Sequence, residues 1–395
     1  MAALLAERVE DAVTRERGAY DRAAAPFGDA IVLFGAGGLG RLAAAALRRK
    51  GIEPLAFADN DRSRWETVID GITVLSPANA AARFGGRAAF VVTIWGAVSS
   101  HRFAHSHEQL DALGCHRVLF FPTLFWKHAD VLLPYYAIDL PHKLLEQRDD
   151  VTSGMALLAD ERSRAEYVAQ VRMRLHGDFD GLPSKVDGVQ YFPRDVYAAR
   201  DDDTFVDCGA FDGDTLRAFV ADRGARFVRY VALEPDPTSR AALQATITTL
   251  PSDLHARIGV SPTAAHSSRT KLHLSATGTA ASAIMSGEAG GSIAIDCAPM
   301  DELPEVAGAT FIKMDIEGAE LDALEGVRHL IARSAPLIAV SAYHRQDHLW
   351  RLALYLHALR PDYRFYLRPH NEQGWDLVLY AVPQHRVVAG GHAGA

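Results

Sequence analysis

Three cysteines in 395 residues are too few and too widely spaced for a disulfide framework or a zinc pattern. Cys115, Cys208 and Cys297 therefore read as reduced, structural residues of a reducing compartment. Long apolar runs are missing as well: none approaches the ~20 residues that span a bilayer. The opening Met1-Ala-Ala-Leu-Leu-Ala-Glu-Arg-Val-Glu10 is charged too early for a secretory leader. A cytoplasmic protein with no membrane partner is the expectation. A basic excess is also lacking. Lys and Arg number 41 against 49 Asp and Glu, a formal charge of −8, which excludes the footprint expected of a nucleic-acid binder. No His, Cys or carboxylate spacing makes a diagnostic metal pattern, so no metal ligand is assigned.

What the chain has instead is one local pattern used twice: an apolar strand, a glycine turn, a helix, then a second strand ending in an acid. The second use is the more informative. Thr204-Phe-Val-Asp-Cys-Gly-Ala-Phe-Asp-Gly-Asp-Thr215 runs from a β-favouring stretch through Asp207 into a turn with Gly209 and Gly213, and a helix is expected after it. Tyr230-Val-Ala-Leu-Glu234 follows as a strand whose terminal carboxylate can accept both hydroxyls of a ribose. Phe311-Ile-Lys-Met-Asp-Ile-Glu-Gly-Ala-Glu320 is a further strand ending in charge. A dinucleotide loop presents glycines and a helix N-terminus to pyrophosphate. This loop carries Asp207, Asp212 and Asp214, which suits a ligand without phosphate and with positive charge, such as S-adenosylmethionine.

Asp207-Cys-Gly-Ala-Phe-Asp-Gly-Asp-Thr215, Glu234-Pro-Asp236 and Lys313-Met-Asp-Ile-Glu-Gly-Ala-Glu320 resemble the signature segments of FkbM-type S-adenosylmethionine-dependent methyltransferases, over roughly residues 186–383. The resemblance implies a class I methyltransferase sheet closed by an antiparallel last strand, at 376–382. It also implies methylation of a hydroxyl on a sugar, a nucleotide-linked sugar or a secondary metabolite. Asp207, Gly209 and Gly213 would shape the methionine end of the cofactor pocket, Glu234 would hold the ribose, and Val260 and Ser261 would border the adenine. Methyl transfer is an in-line displacement whose rate comes largely from positioning, and a hydroxyl acceptor benefits from a base. Asp315, Glu317 and His344, all at strand ends, are the candidates. For Asp315 the competing role is a helix cap; for Glu317, an interaction with a helix dipole; for His344, a surface loop position. Lys313 is either a substrate contact or a buried partner of an acid.

The first use of the pattern is Ala30-Ile-Val-Leu-Phe34, then Gly35-Ala-Gly37-Gly-Leu-Gly40 leading into Arg41–Lys50, then Pro54-Leu-Ala-Phe-Ala-Asp59. This is Gly-x-Gly-x-x-Gly between strand and helix, with an acid about twenty residues on. With strands at 88–94 and 117–121 and helices at 77–84 and 99–113, it predicts a Rossmann-like domain over 29–124. The segment resembles the Rossmann domains that precede sugar O-acyltransferases, through Gly35, Gly37, Gly40 and Asp59. That resemblance implies a nucleotide-sugar ligand; NAD stays open, as does a loop whose glycines serve packing alone.

The remaining expectations concern connections. Residues 1–28 hold an amphipathic helix packed on the first domain. Residues 125–185 form a helical connector whose Trp126, Tyr135 and Tyr136 cover the first sheet or line a substrate cleft. The methyltransferase domain spans 186–385, opening with a hairpin-like segment at 187–193, with strands at 204–208, 229–233, 256–260, 310–314, 336–342 and 376–382 and helices at 214–221, 237–249 and 320–331. Lys271–Ser275 and Ser292–Asp296 make a hairpin excursion with a mobile middle, and 386–395 form a disordered tail. A small-molecule acceptor is the expected partner, and a homodimer is compatible with the apolar connector. The competing classes are an NAD-dependent oxidoreductase, for which no hydride-transfer site is visible, and a non-catalytic nucleotide-binding sensor.

Overall fold

The computed structural model describes residues 1–96, 101–275, 284–285 and 292–388. The expected mobile middle near 275–292 and the end of the expected tail fall mostly outside these residues.

The first sheet contains β1 (Ile31–Phe34), β2 (Ala56–Ala58), β3 (Val68–Ile69), β4 (Ile72–Leu75), β5 (Ala89–Val92) and β6 (Val118–Phe120), in the order β3-β4-β2-β1-β5-β6. All neighbours are parallel except the β3–β4 edge hairpin, which the sequence pattern did not reveal. β1, β2 and β5 are buried along their whole length, so they read as apolar runs with no alternation. Helix Val9–Ala24 packs on the helices Pro122–Lys127 and Pro141–Glu146 and touches β6. The connector continues through Arg148–Ala156 and Glu161–His176, broken where Asp160 caps the last helix by accepting from the Ser163 N–H.

The second unit carries β7 (Thr204–Cys208), β8 (Arg229–Leu233), β9 (Ile258–Ser261), β10 (Ala264–Ala265), β11 (Thr270–Ser275), β12 (Ile284–Met285), β13 (Ser292–Ala298), β14 (Phe311–Met314), β15 (Leu337–Ser341), β16 (Arg364–Pro369) and β17 (Leu377–Val382). Its main sheet runs β16-β17-β15-β14-β7-β8-β9. β9, β8, β7, β14 and β15 are mutually parallel and β17 is antiparallel to both β15 and β16. This is the class I methyltransferase arrangement with its antiparallel closing strand. β11 and β13 pair antiparallel from Thr270↔Cys297 to Ser275↔Ser292, the expected hairpin excursion, with β10 and β12 at its edges.

Four local expectations are corrected. Residues 187–193 form turns and no hairpin, with Tyr191 in the left-handed region at φ 68°. The helix expected over 320–331 is two, Glu320–Glu325 and Arg328–Ser334. Strand β16 and the helix His348–Leu359 were not anticipated. Arg386, assigned to the tail, is 1% exposed and makes two 2.8 Å bonds to Asp203, a fully buried carboxylate that requires a cationic partner.

One apolar core joins the two sheets. Leu33 and Phe90 of the first, Phe121 and Leu124 just after β6, Leu144 of the connector, Val206 and Leu379 of the second, and Trp350 of the helix His348–Leu359 belong to a single cluster. The opposite face of the second sheet packs Phe205, Phe219, Tyr230, Phe311 and Tyr380. The alternation of Phe205 and Val206 between these cores is the period of two along β7.

Candidate active site

β7 and β14 are adjacent and parallel, and the chain leaves them in opposite directions along the sheet. Such a switch point opens a crevice at the strands' carboxyl ends. A cavity of about 250 Å³ lies there.

One end is built from the loops after β7 and β8. Gly209 is left-handed at φ 78°, and a Cβ there would stand 2.1 Å from the Asp315 carbonyl oxygen. The glycine thus lets the turn pass under the end of β14. Gly213, at φ 86°, packs on Leu243 and Thr246 and does not line the cavity. Asp207 lies beneath the cavity, fully buried. It is bridged to Lys313 Nζ at 2.8 Å and accepts the Tyr230 hydroxyl. Burial alone would lower the Lys313 pKa, but the carboxylates of Asp207 and Asp315 raise it, so the ammonium stays charged. Its hydrogen bond of 2.7 Å to the Gly209 carbonyl fixes the turn. Glu234 does line the cavity. Each oxygen accepts one backbone N–H at 2.8 Å, from Phe211 and from Asp236, leaving a second lone pair on each toward a ligand. Burial pushes its carboxyl up, against those two N–H groups. Asp236 caps the helix Pro237–Thr249. Val260 and Ser261 lie outside the lining, whose corresponding wall is formed by Ser239, Ala264 and Ala265. After Ser261 the chain passes directly into β10, whose two residues belong to that wall.

The other end is acidic and aromatic: Asp315, Glu317, Asp376, Tyr191 and Tyr343. The left-handed turn at Tyr191 directs its hydroxyl to Asp315 Oδ2 at 2.8 Å. Glu317, at φ 54°, is a strained non-glycine residue. Burial raises its carboxyl to about 7, with His344 opposing. Burial, with Asp315 beside it, raises Asp376 to about 6. Burial and the facing Glu317 carboxylate push the Tyr136 phenol upward; its ring, outside the cavity lining, lies 4.7 Å from that of Trp375.

His344 does not line the cavity and is not a surface loop residue; it stands behind the carboxylates, 6% exposed. Its Nδ1 is 2.6 Å from Glu320 Oε1, and its Nε2 is 3.3 Å from Asp315 Oδ1 and 3.8 Å from Glu317 Oε1. Burial would lower its pKa, but Glu320, then Asp315 and Glu317, raise it to about 9. An imidazole held as a cation near neutral pH is a poor proton acceptor. Glu320 also accepts the N–H groups of Ile316 and Gly318 and faces His348, so one buried carboxylate ties the turn after β14 to the loop after β15. Tyr191 and Asp376 were missed in the sequence because their left-handed φ is invisible there; Tyr343, beside His344 just after β15, carries the same strand-end signal and was passed over.

In the first sheet, Asp59 accepts the Ala36 and Asp61 N–H groups at 2.8 Å and lies 3.4 Å from an Arg64 Nη. A Cβ on Gly40 would fall 1.9 Å from the Gly35 carbonyl, so Gly40 is required by helix packing; Gly37 has nothing within 4 Å. An open groove is lined by Gly35, Gly37, Asp59, Arg64, Thr93 and Trp95. Among the described residues no group of three or more His, Cys, Asp or Glu is arranged to hold a metal ion, and no helix is long and apolar enough to cross a membrane.

Residues 207–368 match the family model of the methyltransferase FkbM domain. The solved structure of methyltransferase FkbM from Methylobacillus flagellatus KT is similar over 96% of this chain and 98% of that chain, with a TM-score of 0.75 and 23% identity. The fold of both sheets therefore recurs. UDP-D-quinovosamine 4-dehydrogenase from Vibrio fischeri is 27% identical over 23% of this chain and 75% of that chain, at a TM-score of 0.18 that carries no argument. No curated relative matches.

Proposed function

We propose that this chain is a methyltransferase that, through residues 207–368, which match the FkbM domain model, transfers a methyl group from S-adenosylmethionine to a hydroxyl of a sugar, a nucleotide-linked sugar or a secondary metabolite. The observation that carries the reading is the convergence of Glu234, Asp315, Glu317, Asp376 and Tyr191 on one cavity at the β7–β14 switch point. Their carboxylates suit a cationic donor, and Glu234 keeps lone pairs for a ribose. S-adenosylmethionine supplies, when bound, an electrophilic methyl group on a sulfonium.

Glu317 is the proposed base. Its carboxyl titrates at about 7, where a base is both available and strong enough to be useful. It would take the hydroxyl proton as the acceptor oxygen bonds the methyl carbon and the methyl–sulfur bond breaks, S-adenosylhomocysteine being the leaving group, while His344 stabilises the adjoining carboxylates as a fixed cation. Asp315, oriented by Tyr191, accepts a hydrogen bond from the acceptor. Asp207 and Lys313 act from below by holding the Gly209 turn.

For the first domain the proposal is a nucleotide ligand, either the nucleotide portion of the acceptor or NAD. The open space above Gly37 favours it, because no packing contact explains the absent side chain.

Calorimetric titration with S-adenosylhomocysteine tests the donor site. Micromolar binding that is lost in Glu234→Ala supports it, and methyl release is then followed over a panel of nucleotide-sugars. A folded protein that binds no S-adenosylhomocysteine ends the methyltransferase reading.

A further inference from the structure

The loop between β16 and β17, residues 370–376, places Asp376 in the acceptor end of the cavity. Its backbone is demanding. Gln373 at φ 56° and Asp376 at φ 51° are non-glycine residues in the left-handed region. Such residues persist only where their surroundings over-determine them. The base of the loop is closed from within, by the His370 N–H on the Asp376 carbonyl at 3.1 Å and by Asn371 Nδ2 on Asp376 Oδ2 at 3.2 Å.

Its tip is held from the other sheet. Trp95, just after β5, donates its indole N–H to the Gln373 carbonyl at 3.0 Å. Its ring lies 4.7 Å from that of Trp375, which in turn meets Tyr136 at 4.7 Å and Tyr343 at 5.3 Å. Arg102 bonds Glu372 Oε2 through Nε at 3.0 Å and through Nη2 at 2.6 Å, with Glu372 only 15% exposed. Two first-domain side chains therefore grip the residues that precede Asp376.

We infer that Trp95 and Arg102 are positioning residues for the methyl acceptor: the first domain clamps the 370–376 loop so that Asp376 faces the transfer cavity. This rests on the reading of that cavity as the methyl-transfer site. It also gives the first domain a role that needs no ligand in its glycine loop.

The test uses the full-length chain with Arg102→Glu, Glu372→Arg and the charge-swapped double variant. Hydrogen–deuterium exchange of the 370–376 peptide, with no ligand present, becomes faster in each single variant and returns toward wild type in the double. With whichever nucleotide-sugar the panel identifies, the acceptor KM rises about tenfold in each single variant, a modest misplacement by the standards of catalytic geometry. Affinity for S-adenosylhomocysteine stays within about twofold, because the donor end is remote from the clamp. Trp95→Phe keeps an aromatic ring, though a smaller one, loses the N–H donor and gives a smaller change of the same kind. Unchanged exchange overturns the clamp. So does a loosened loop with an unchanged KM, or an equal loss of donor affinity, which marks a general structural role. If the wild-type chain bound no S-adenosylhomocysteine, the methyl-transfer reading would fall, while the exchange data would still decide whether the clamp exists.

Discussion

The two glycine turns of this molecule use the same device and end in different places. In each sheet the acid after the second strand reaches back 23 residues to accept a backbone N–H from the turn after the first strand: Asp59 from Ala36, Glu234 from Phe211, both at 2.8 Å. Asp59 is additionally paired with Arg64 and stands over an open groove. The Glu234 carboxylate makes no salt bridge among the described residues and lines a cavity with Asp315 and Glu317. The comparison teaches that the strand–glycine–helix–strand–acid pattern specifies how a turn is held. What the site does depends on whether the acid is left available and on what the neighbouring strands bring to it.

The largest way to sharpen that contrast is at the acceptor end, which has no counterpart in the first sheet. Glu317→Gln is expected to slow methyl transfer by about 10²–10⁴-fold, the usual contribution of a positioned base. The base form is the ionised one, so the wild-type rate rises with pH through about 7. That limb disappears in Glu317→Gln while S-adenosylhomocysteine still binds. A retained limb would assign the base elsewhere, with Asp376 at about 6 the next candidate.

A second contrast lies beneath the turns. Lys313→Met leaves Asp207 buried without its cation, and the expected loss of stability in urea denaturation is about 3–5 kcal/mol. Arg64→Ala, at a pair whose arginine side chain is 40% exposed, is expected to cost about 1 kcal/mol or less. Equal losses would mean that the two turns are supported alike.

A third separates the acids by ligand. Glu234→Gln is expected to weaken S-adenosylhomocysteine about tenfold, the scale of one charge-assisted hydrogen bond. Asp59→Asn leaves that affinity unchanged by calorimetry. An effect of Asp59→Asn on donor binding would erase the division of labour between the sheets.

Much of this was legible in the chain. Apolar stretches such as Ile31–Phe34 and 337–340 announce buried parallel strands, and acids at strand ends mark the crevice. The sequence could not show which acids would be consumed internally. Asp207 reads like a ligand residue and is a buried ion pair, because a lysine two residues before Asp315 comes beside it only when β7 and β14 pair. His344 reads like a base, and Glu320, 24 positions away in the chain but 2.6 Å away in space, raises its pKa and favours its protonated form. Tyr191 and Asp376 enter the site through left-handed backbone that nothing in their local sequence demands.

The smallest effect separates two glycines of a single motif. A Cβ at Gly40 would overlap the Gly35 carbonyl at 1.9 Å, so Gly40→Ala must push the helix Gly38–Arg49 off the turn, at about 1–3 kcal/mol of stability. Gly37 has nothing within 4 Å and an ordinary extended φ of −80°, so Gly37→Ala is expected to fall within about 0.5 kcal/mol. Packing therefore explains Gly40 and leaves Gly37 unexplained, unless a ligand occupies the space above it. Gly37→Val fills that space. It is expected to raise the acceptor KM a few-fold while donor affinity holds, since a side chain on a preformed turn removes contact area and leaves the rest of the site intact. An unchanged KM would return the whole first loop to packing, and would leave Trp95 and Arg102 as the first domain's connection to the chemistry.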